Sequence, residues 1–332
     1  MERRAFLQLA GGIAITWPLA APAQQRASLP LVAVISPVGE QLATARAASI
    51  REGLKQAGLI EGKDYLMTVR FATGDNARYL EFIKELDASK PRVWVAVGSF
   101  VPLHQQLPNA PVVFTGIAID PVAFGLVDSY ARPGGMITGN VQNAAGGIES
   151  VMSKQLGFFK ELVPNLTRLG YIGPMTETAA KYPVERPAAL KATEQHGIAL
   201  SMYPLTTLDD VEGAIAAGLR DDVSAFFVSG DAALNTRIPQ IVASLAKTGK
   251  PAMGVHPQWA RGGLLMSYYT DPGDQARRAG IQAAKILRGA KPGDLPIEQA
   301  EKFQFIINLK TAKQLGIAVP STLLAQADEV IE

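Results

Sequence analysis

The sequence predicts an α/β protein of two Rossmann-like lobes, each built on a parallel sheet, joined by a hinge of several strands. Three observations carry this reading. The 332 residues exceed one ordinary core and suit two lobes of roughly 120–150 residues each. Unbroken apolar runs of strand length alternate with stretches of helical period, the pattern of right-handed βαβ crossovers in an open sheet. The alternation also starts twice, on either side of the turn-rich Arg132-Pro133-Gly134-Gly135.

In the first series, Leu31 to Ile35 is an apolar run expected of a strand covered on both faces. Thr44 to Ala57 has helical period and stops at Gly58, a C-cap residue. Tyr65 to Phe71 alternates as a strand and Ala77 to Leu86 follows as a helix. Val93 to Val97 and Pro111 to Thr115 are two further strands. In the second series Val151 to Leu162 is helical, Arg168 to Ile172 a strand, and Pro187 to His196 a helix closed by Gly197. Ile198 to Tyr203, Val211 to Leu219 and Ala225 to Val228 continue as strand, helix and strand. Ile238 to Ala246 and Pro251 to Val255 add a helix and a short strand.

Three more elements follow: strand-like Leu264 to Tyr269, an amphipathic helix from Asp274 to Leu287, and a strand from Phe303 to Asn308. They exceed what the second lobe needs, so the chain is expected to cross back. This divides it into a first lobe of residues 29–140 plus 270–332 and a second of residues 141–269. Lobes joined by several strands make a hinge that closes on a ligand.

The N-terminus reads as an export signal over residues 1–23. Arg3-Arg4 precede an apolar run from Leu7 to Leu19 and the small-residue site Ala21-Pro22-Ala23. The run is shorter than the ~20 residues of a membrane span. Arg3-Arg4-Ala5-Phe6-Leu7-Gln8 also resembles a twin-arginine signal, although an ordinary secretory signal can begin the same way. No cysteine follows the cleavage site, so a lipid anchor is not expected there. A free exported protein is retained by an outer membrane, which places the expected product in the periplasm.

Composition narrows the function. Hydrophobic residues make up 48% and charged residues 19% of the chain, as in a packed globular protein. A formal net charge of +2 gives no basic surplus for nucleic acid. Cysteine is absent, which excludes disulfides, thiolate metal sites and cysteine nucleophiles. The chain has no Gly-x-Ser-x-Gly elbow, no phosphate loop and no Gly-x-Gly-x-x-Gly after a strand. Its three histidines, His104, His196 and His256, lack partners at metal-ligand spacing. No cofactor, metal or catalytic activity is expected.

The candidate binding residues lie at the C-terminal ends of strands, where open α/β sheets take ligands. They are Ser36, Ser99, Thr115 and Asp120 in the first lobe, Gly173, Ser229, Asp231 and His256 in the second, and Tyr268 with Tyr269 near the crossing. The serines serve equally as helix caps, Asp120 before Pro121 as a turn starter, and Asp231 as a cap for the helix near Thr236. The tyrosines serve equally as core residues. Taken together, hydroxyls, two carboxylates and aromatic walls fit a zwitterion with an apolar side chain.

The segments Asp120-Pro121-Val122, Gly125-Leu126-Val127 and Ala131 to Gly139 resemble the ABC-transporter substrate-binding family that includes tryptophan and tyrosine binders. Gly262 to Tyr268, Lys285 to Pro292, Asp294 to Gln299, Phe303 to Gly316 and Asp328 to Ile331 are similar to its later blocks. The likeness extends over nearly the whole chain. It departs from the family pattern at Met136 (Asn in the family), at Ile119 (Thr) and at Ala232-Ala233 (Asp-Pro). The resemblance implies a type I periplasmic-binding fold that holds a small molecule between its lobes. It also implies an ABC permease with its ATPase as partners, a monomer, and no catalysis. A sensory protein that hands its ligand-bound state to a receptor or histidine kinase instead of a transporter needs the same closing cleft, and a small-molecule enzyme on the same fold is a more distant alternative.

Overall fold

The computed structural model describes residues 29–117, 119–142, 147–174, 185–231 and 233–332. The leader of residues 1–23 lies outside them. Two sheets organise the chain. The first runs β11-β5-β4-β3-β1-β2 and is parallel throughout, from β1 (Leu31–Ser36), β2 (Leu66–Phe71), β3 (Val93–Val97), β4 (Val112–Ile117), β5 (Ile137–Val141) and β11 (Glu298–Gln299).

The unbroken apolar runs of β1 and β3 have a direct cause. Side chains alternate between faces, and both faces are covered. Val32, Val34, Val93 and Val95 face α1 (Glu40–Gln56) and a late helix, Pro272–Leu287. Ala33, Ile35, Trp94 and Ala96 face α2 (Asn76–Asp87) and α3 (Val101–Gln106) through Tyr79, Ile83, Leu86 and Leu103. The Asp75 side chain caps α2 by accepting from the Arg78 amide at 3.1 Å.

The second sheet runs β13-β12-β10-β9-β8-β6-β7. Its strands are β6 (Arg168–Pro174), β7 (Ala199–Leu205), β8 (Ala225–Val228), β9 (Ala252–Gly254), β10 (Met266–Thr270), β12 (Phe303–Asn308) and β13 (Glu329–Ile331). All pairs are parallel except β10 with β12. The helices after α3 are α4 (Gly147–Leu162), α5 (Glu185–Gln195), α6 (Val211–Arg220), α7 (Ile238–Ala246), α8 (Pro257–Gly262), α9 (Pro272–Leu287), α10 (Leu309–Gln314) and α11 (Ser321–Gln326). Among the described residues no helix is long and apolar enough to cross a membrane.

The return of the chain differs from the division drawn above. α9 and β11 belong with the first sheet, but residues 303–332 do not. β12 lies antiparallel to β10, with Ser267 opposite Ile306 and Tyr268 opposite Phe305, and β13 adds beside it. Phe305, Ile306 and Ile307 are buried there, in apolar surface that β10 would otherwise leave open. An apolar strand shows that it needs a sheet but not which sheet it joins. β5 was also missed, because Gly139 and the preceding turn residues masked a strand that is buried along its whole length.

The chain therefore passes between sheets after β5, between β10 and α9, and between β11 and β12. These crossings are tied together. Gln275 Nε2 donates to the Val141 carbonyl at 3.0 Å, Asn140 Nδ2 to the Gln275 carbonyl at 2.9 Å, and the Asp271 amide to the Lys302 carbonyl at 3.0 Å. Asp274 accepts from Arg277 at 2.5 Å and from Arg278 at 3.0 Å, and Arg278 reaches on to Glu298 and Glu301.

Candidate functional site between the lobes

The C-terminal ends of the strands of the two sheets meet at a polar seam. From the first lobe come Arg46 of α1, Gly116 at the end of β4, and Gln142 just past β5. The β4–β5 register shifts between Phe114 and Ile117, and Gly116 takes φ 68° within that irregularity. A Cβ at Gly116 would lie 3.2 Å from Arg46 Nη1 and 3.6 Å from Gln142 Nε2, so a glycine here leaves the guanidinium its room.

From the second lobe come Tyr269 of β10, His256 ahead of α8, Tyr171 of β6, Glu185 of α5 and the Ser229–Asp231 turn. Tyr269 donates its hydroxyl to Gln142 Oε1 and packs edge-on against His256, with ring centroids 4.7 Å apart. His256 Nε2 lies 3.0 Å from the Gly230 carbonyl. The Gly230 amide in turn donates to Glu185 at 3.2 Å, and Tyr171 donates its hydroxyl to the same carboxylate at 2.5 Å.

Burial sets the electrostatics. It raises Glu185 above the usual carboxylate range, despite the hydrogen bonds from Tyr171 and Gly230 that oppose it. It raises the Tyr269 phenol, which Glu185 pushes up further and Arg46 pulls down. It lowers Arg46 below the ordinary guanidinium value, with Tyr269 opposing. Burial also brings His256 down to about 4, the Gly230 carbonyl opposing and Arg46 reinforcing. His256 is therefore neutral at pH 7. A carbonyl only accepts, so Nε2 carries the proton and Nδ1 is a bare acceptor, buried with no partner among the described residues.

The His256 shift has a sign that can be measured. Between 6.5 and about 4 the unfolded chain binds a proton that the folded one does not, so stability falls as pH falls through this window. Going from about pH 7 to about pH 4.5 is expected to remove about 2 kcal/mol through this group. Glu185 acts in the opposite sense, because its raised value makes the native state the stronger proton binder. Urea unfolding of wild type and His256→Gln at both pH values isolates the histidine: the wild type should lose about 2 kcal/mol more than the variant. Equal losses would show that His256 does not titrate as described.

The residues singled out from sequence fall into two groups. Ser229, Asp231 and His256 stand on the second-lobe wall. Gly173 adjoins it, since a Cβ there would lie 2.8 Å from the Tyr171 ring and 3.1 Å from Ser229 Cβ. The others are occupied locally. Ser36 Oγ accepts from the Val38 amide at 3.4 Å, and the Ser99 carbonyl takes the Tyr79 hydroxyl at 2.7 Å. Thr115 Oγ1 donates to Asn140 at 2.8 Å inside the sheet. Asp120 caps its own turn through the Val122 amide at 3.0 Å, and burial pushes the Tyr130 phenol up to about 12 with the Asp120 carboxylate adding to it. Tyr268 sits in an aromatic cluster with Phe158, Phe303 and Phe305. Neighbours on a strand point to opposite faces, so Tyr269 takes the place at the seam.

Sequence reasoning did not find Arg46, Gln142, Tyr171 or Glu185. The signal for Arg46 was faint: a single arginine within Ala43-Thr44-Ala45-Arg46-Ala47-Ala48, on the first helix after the first strand.

An open groove of about 710 Å³ between α4 and α5 lies apart from this seam and is lined by Ser153, Lys154, Phe158 and His196 among others. Ser153 Oγ is 3.3 Å from His196 Nε2, but that nitrogen lies 2.8 Å from the Ser153 carbonyl. It therefore carries the proton and cannot take one from the hydroxyl.

The model of the family described as ABC transporter substrate binding protein matches residues 31–331. The chain belongs to this family. A tyrosine-binding protein of Clostridioides difficile (strain R20291) is 26% identical over 63% of this substrate-binding chain, which spans 58% of that relative's length. An ABC domain from Streptococcus pneumonia, solved in complex with L-Trp, is 25% identical with a TM-score of 0.79, covering 92% of this chain and all of the other. A conserved domain protein from Vibrio cholerae is likewise 25% identical, with a TM-score of 0.80 over 91% of this chain and all of that one. The two-lobed architecture is shared with these two solved structures.

Proposed function

We propose that this substrate-binding protein is the periplasmic component of an ABC importer. It closes around a small zwitterion, an aromatic or other apolar amino acid or a related carboxylate, and delivers it to an ABC permease and its ATPase. The observation that carries the reading is the meeting of opposite charges across the seam, Arg46 on one lobe and the Glu185 and Asp231 carboxylates on the other. A zwitterion brings a carboxylate to Arg46 and an ammonium to the acidic side, whereas a neutral sugar brings no counter-charge to the guanidinium. The tyrosine and L-Trp named for two relatives support the same ligand class. The protein acts as a monomer after export and removal of residues 1–23, and it is not an enzyme. Its expected contacts with the membrane are through the permease alone.

A thermal-shift screen tests this on residues 24–332, unfolded and refolded to release any bound molecule. Amino acids, aromatic carboxylates, sugars and nucleosides form the panel. A ligand at a hundredfold excess over its Kd stabilises the fold by about 2.7 kcal/mol. Hits among amino acids or carboxylates are expected, and hits confined to sugars or nucleosides would discard the zwitterion.

A further inference from the structure

We propose that Arg46 is the anion anchor of the cleft and that the ligand's carboxylate closes on its guanidinium, leaving the ligand's donor end toward His256 and Glu185. This rests on the binding-protein reading above and adds to it the role of Arg46 as anchor and the direction in which the ligand lies in the cleft.

The first observation is an uncompensated cation. Arg46 is partly buried, and among the described residues it has no hydrogen bond and no ion pair. The hinge arginines of similar exposure, Arg277 and Arg278, are both matched by Asp274. A guanidinium withdrawn from water without a partner is costly, and a protein that retains one has a use for it. Tyr269 and His256 face it from the second lobe, so the charge looks into the seam.

The second observation is convergence of donors. Arg46 Nη1 and Gln142 Nε2 both come within 4 Å of one point over Gly116. The Tyr269 hydroxyl engages Gln142 Oε1, so the amide presents its donor end to that point. A fork of guanidinium N–H groups beside an amide N–H₂ matches the two oxygens of a carboxylate.

The third observation lies opposite. His256 is 8% exposed, and its Nδ1 is a buried acceptor without a partner among the described residues. It is suited to an N–H or O–H of the ligand. Glu185 beside it disfavours a dianion such as a phosphate ester, so the fit is a monocarboxylate bearing an amino or hydroxyl group nearby.

The test uses the secreted chain and the variants Arg46→Gln and Arg46→Lys. Without added ligand, a guanidinium awaiting its partner predicts that Arg46→Gln melts at or above the wild-type temperature. A clear fall would show a structural role and overturn the proposal. Binding is then measured with twenty L-amino acids and their α-hydroxy acids, each alongside its carboxamide, and with neutral sugars. Wild type is expected to bind one or more free acids and not their amides. Arg46→Gln should lose about 30-fold or more in affinity, and Arg46→Lys should lose less because it keeps the charge without the fork. Equal binding of acid and amide, or equal affinity of wild type and Arg46→Gln, overturns the anchor. Sugar binding that ignores Arg46 would leave a binding protein with a different anchor. A total lack of hits would count against both readings.

Discussion

Gly53→Val is expected to lower stability by about 3–5 kcal/mol. Gly53 of α1 and Gly280 of α9 meet where the two helices cross on the first sheet. A Cβ at Gly53 would overlap the Arg277 carbonyl oxygen and lie 3.1 Å from Gly280 Cα, and one at Gly280 would overlap the Ile50 carbonyl. The obstructing atoms are backbone, so no rotamer change relieves them. The helices would have to separate, opening the packing of Ile50 and Leu54 against Ala276, Ala279 and Ala283. Backbone crowding exceeds the ordinary range of about 1–3 kcal/mol for overpacking, because both helices carry the fold of the lobe. The control is Gly213→Ala on the exposed face of α6, where nothing lies within 4 Å of the added Cβ. Helix propensity alone should make that change stabilising by about 0.5–1 kcal/mol. Chemical denaturation of both variants checks the contrast. A Gly53→Val protein as stable as wild type would mean that the helices do not cross this closely.

Asp274→Ala is expected to cost about 2–3 kcal/mol. The carboxylate is 6% exposed and holds Arg277 at 2.5 Å, Arg278 at 3.0 Å and Lys302 at 3.7 Å. Breaking a buried pair costs about 3–5 kcal/mol because the partner charge is left behind. Here the arginines are about a quarter exposed, so water recovers part of that. Burial opposes ionisation of Asp274, but the hydrogen bonds from Arg277 and Arg278 outweigh it and hold the carboxyl below its ordinary value. Its contribution is therefore present above the unfolded value of 3.8 and is lost as pH falls through the lower folded value. Arg278 also binds Glu298 and Glu301 on the third crossing, so the substitution loosens the hinge as well as the helix start. Urea unfolding near neutral pH measures the loss. A change below about 0.5 kcal/mol would reduce Asp274 to the rank of an exposed ion pair.

Much of the architecture was legible because each element carried its own physical signal. Val93 to Val97 is apolar throughout since both faces of the sheet are covered, and the observed strand has those same ends. Val211 to Leu219 and Ile238 to Ala246 show helical period because each buries one face and leaves the other wet. β5 was illegible because Gly139 reads as a turn residue. In the fold it is required, since a Cβ would lie 2.7 Å from the Phe114 backbone nitrogen and ring. Strand-end logic pointed to Ser229, Asp231 and His256, which the sheet carries to the second-lobe side of the seam. It did not find Arg46, which reaches the seam from a helix.

The sequence by itself determined the α/β class, the doubling of the lobe, the absence of thiol chemistry and the region of the chain's strand ends where polar residues collect. These follow from local patterns of burial and period, which a chain carries in its residue order. Tertiary structure alone decided that residues 303–332 close the second sheet, that Tyr269 and not Tyr268 faces the other lobe, and that Arg46, beside Gln142, looks across the seam to Tyr269 and His256. Those outcomes depend on which surfaces lie opposite each other after folding. Opposition between residues some two hundred positions apart leaves no period in a sequence to be read.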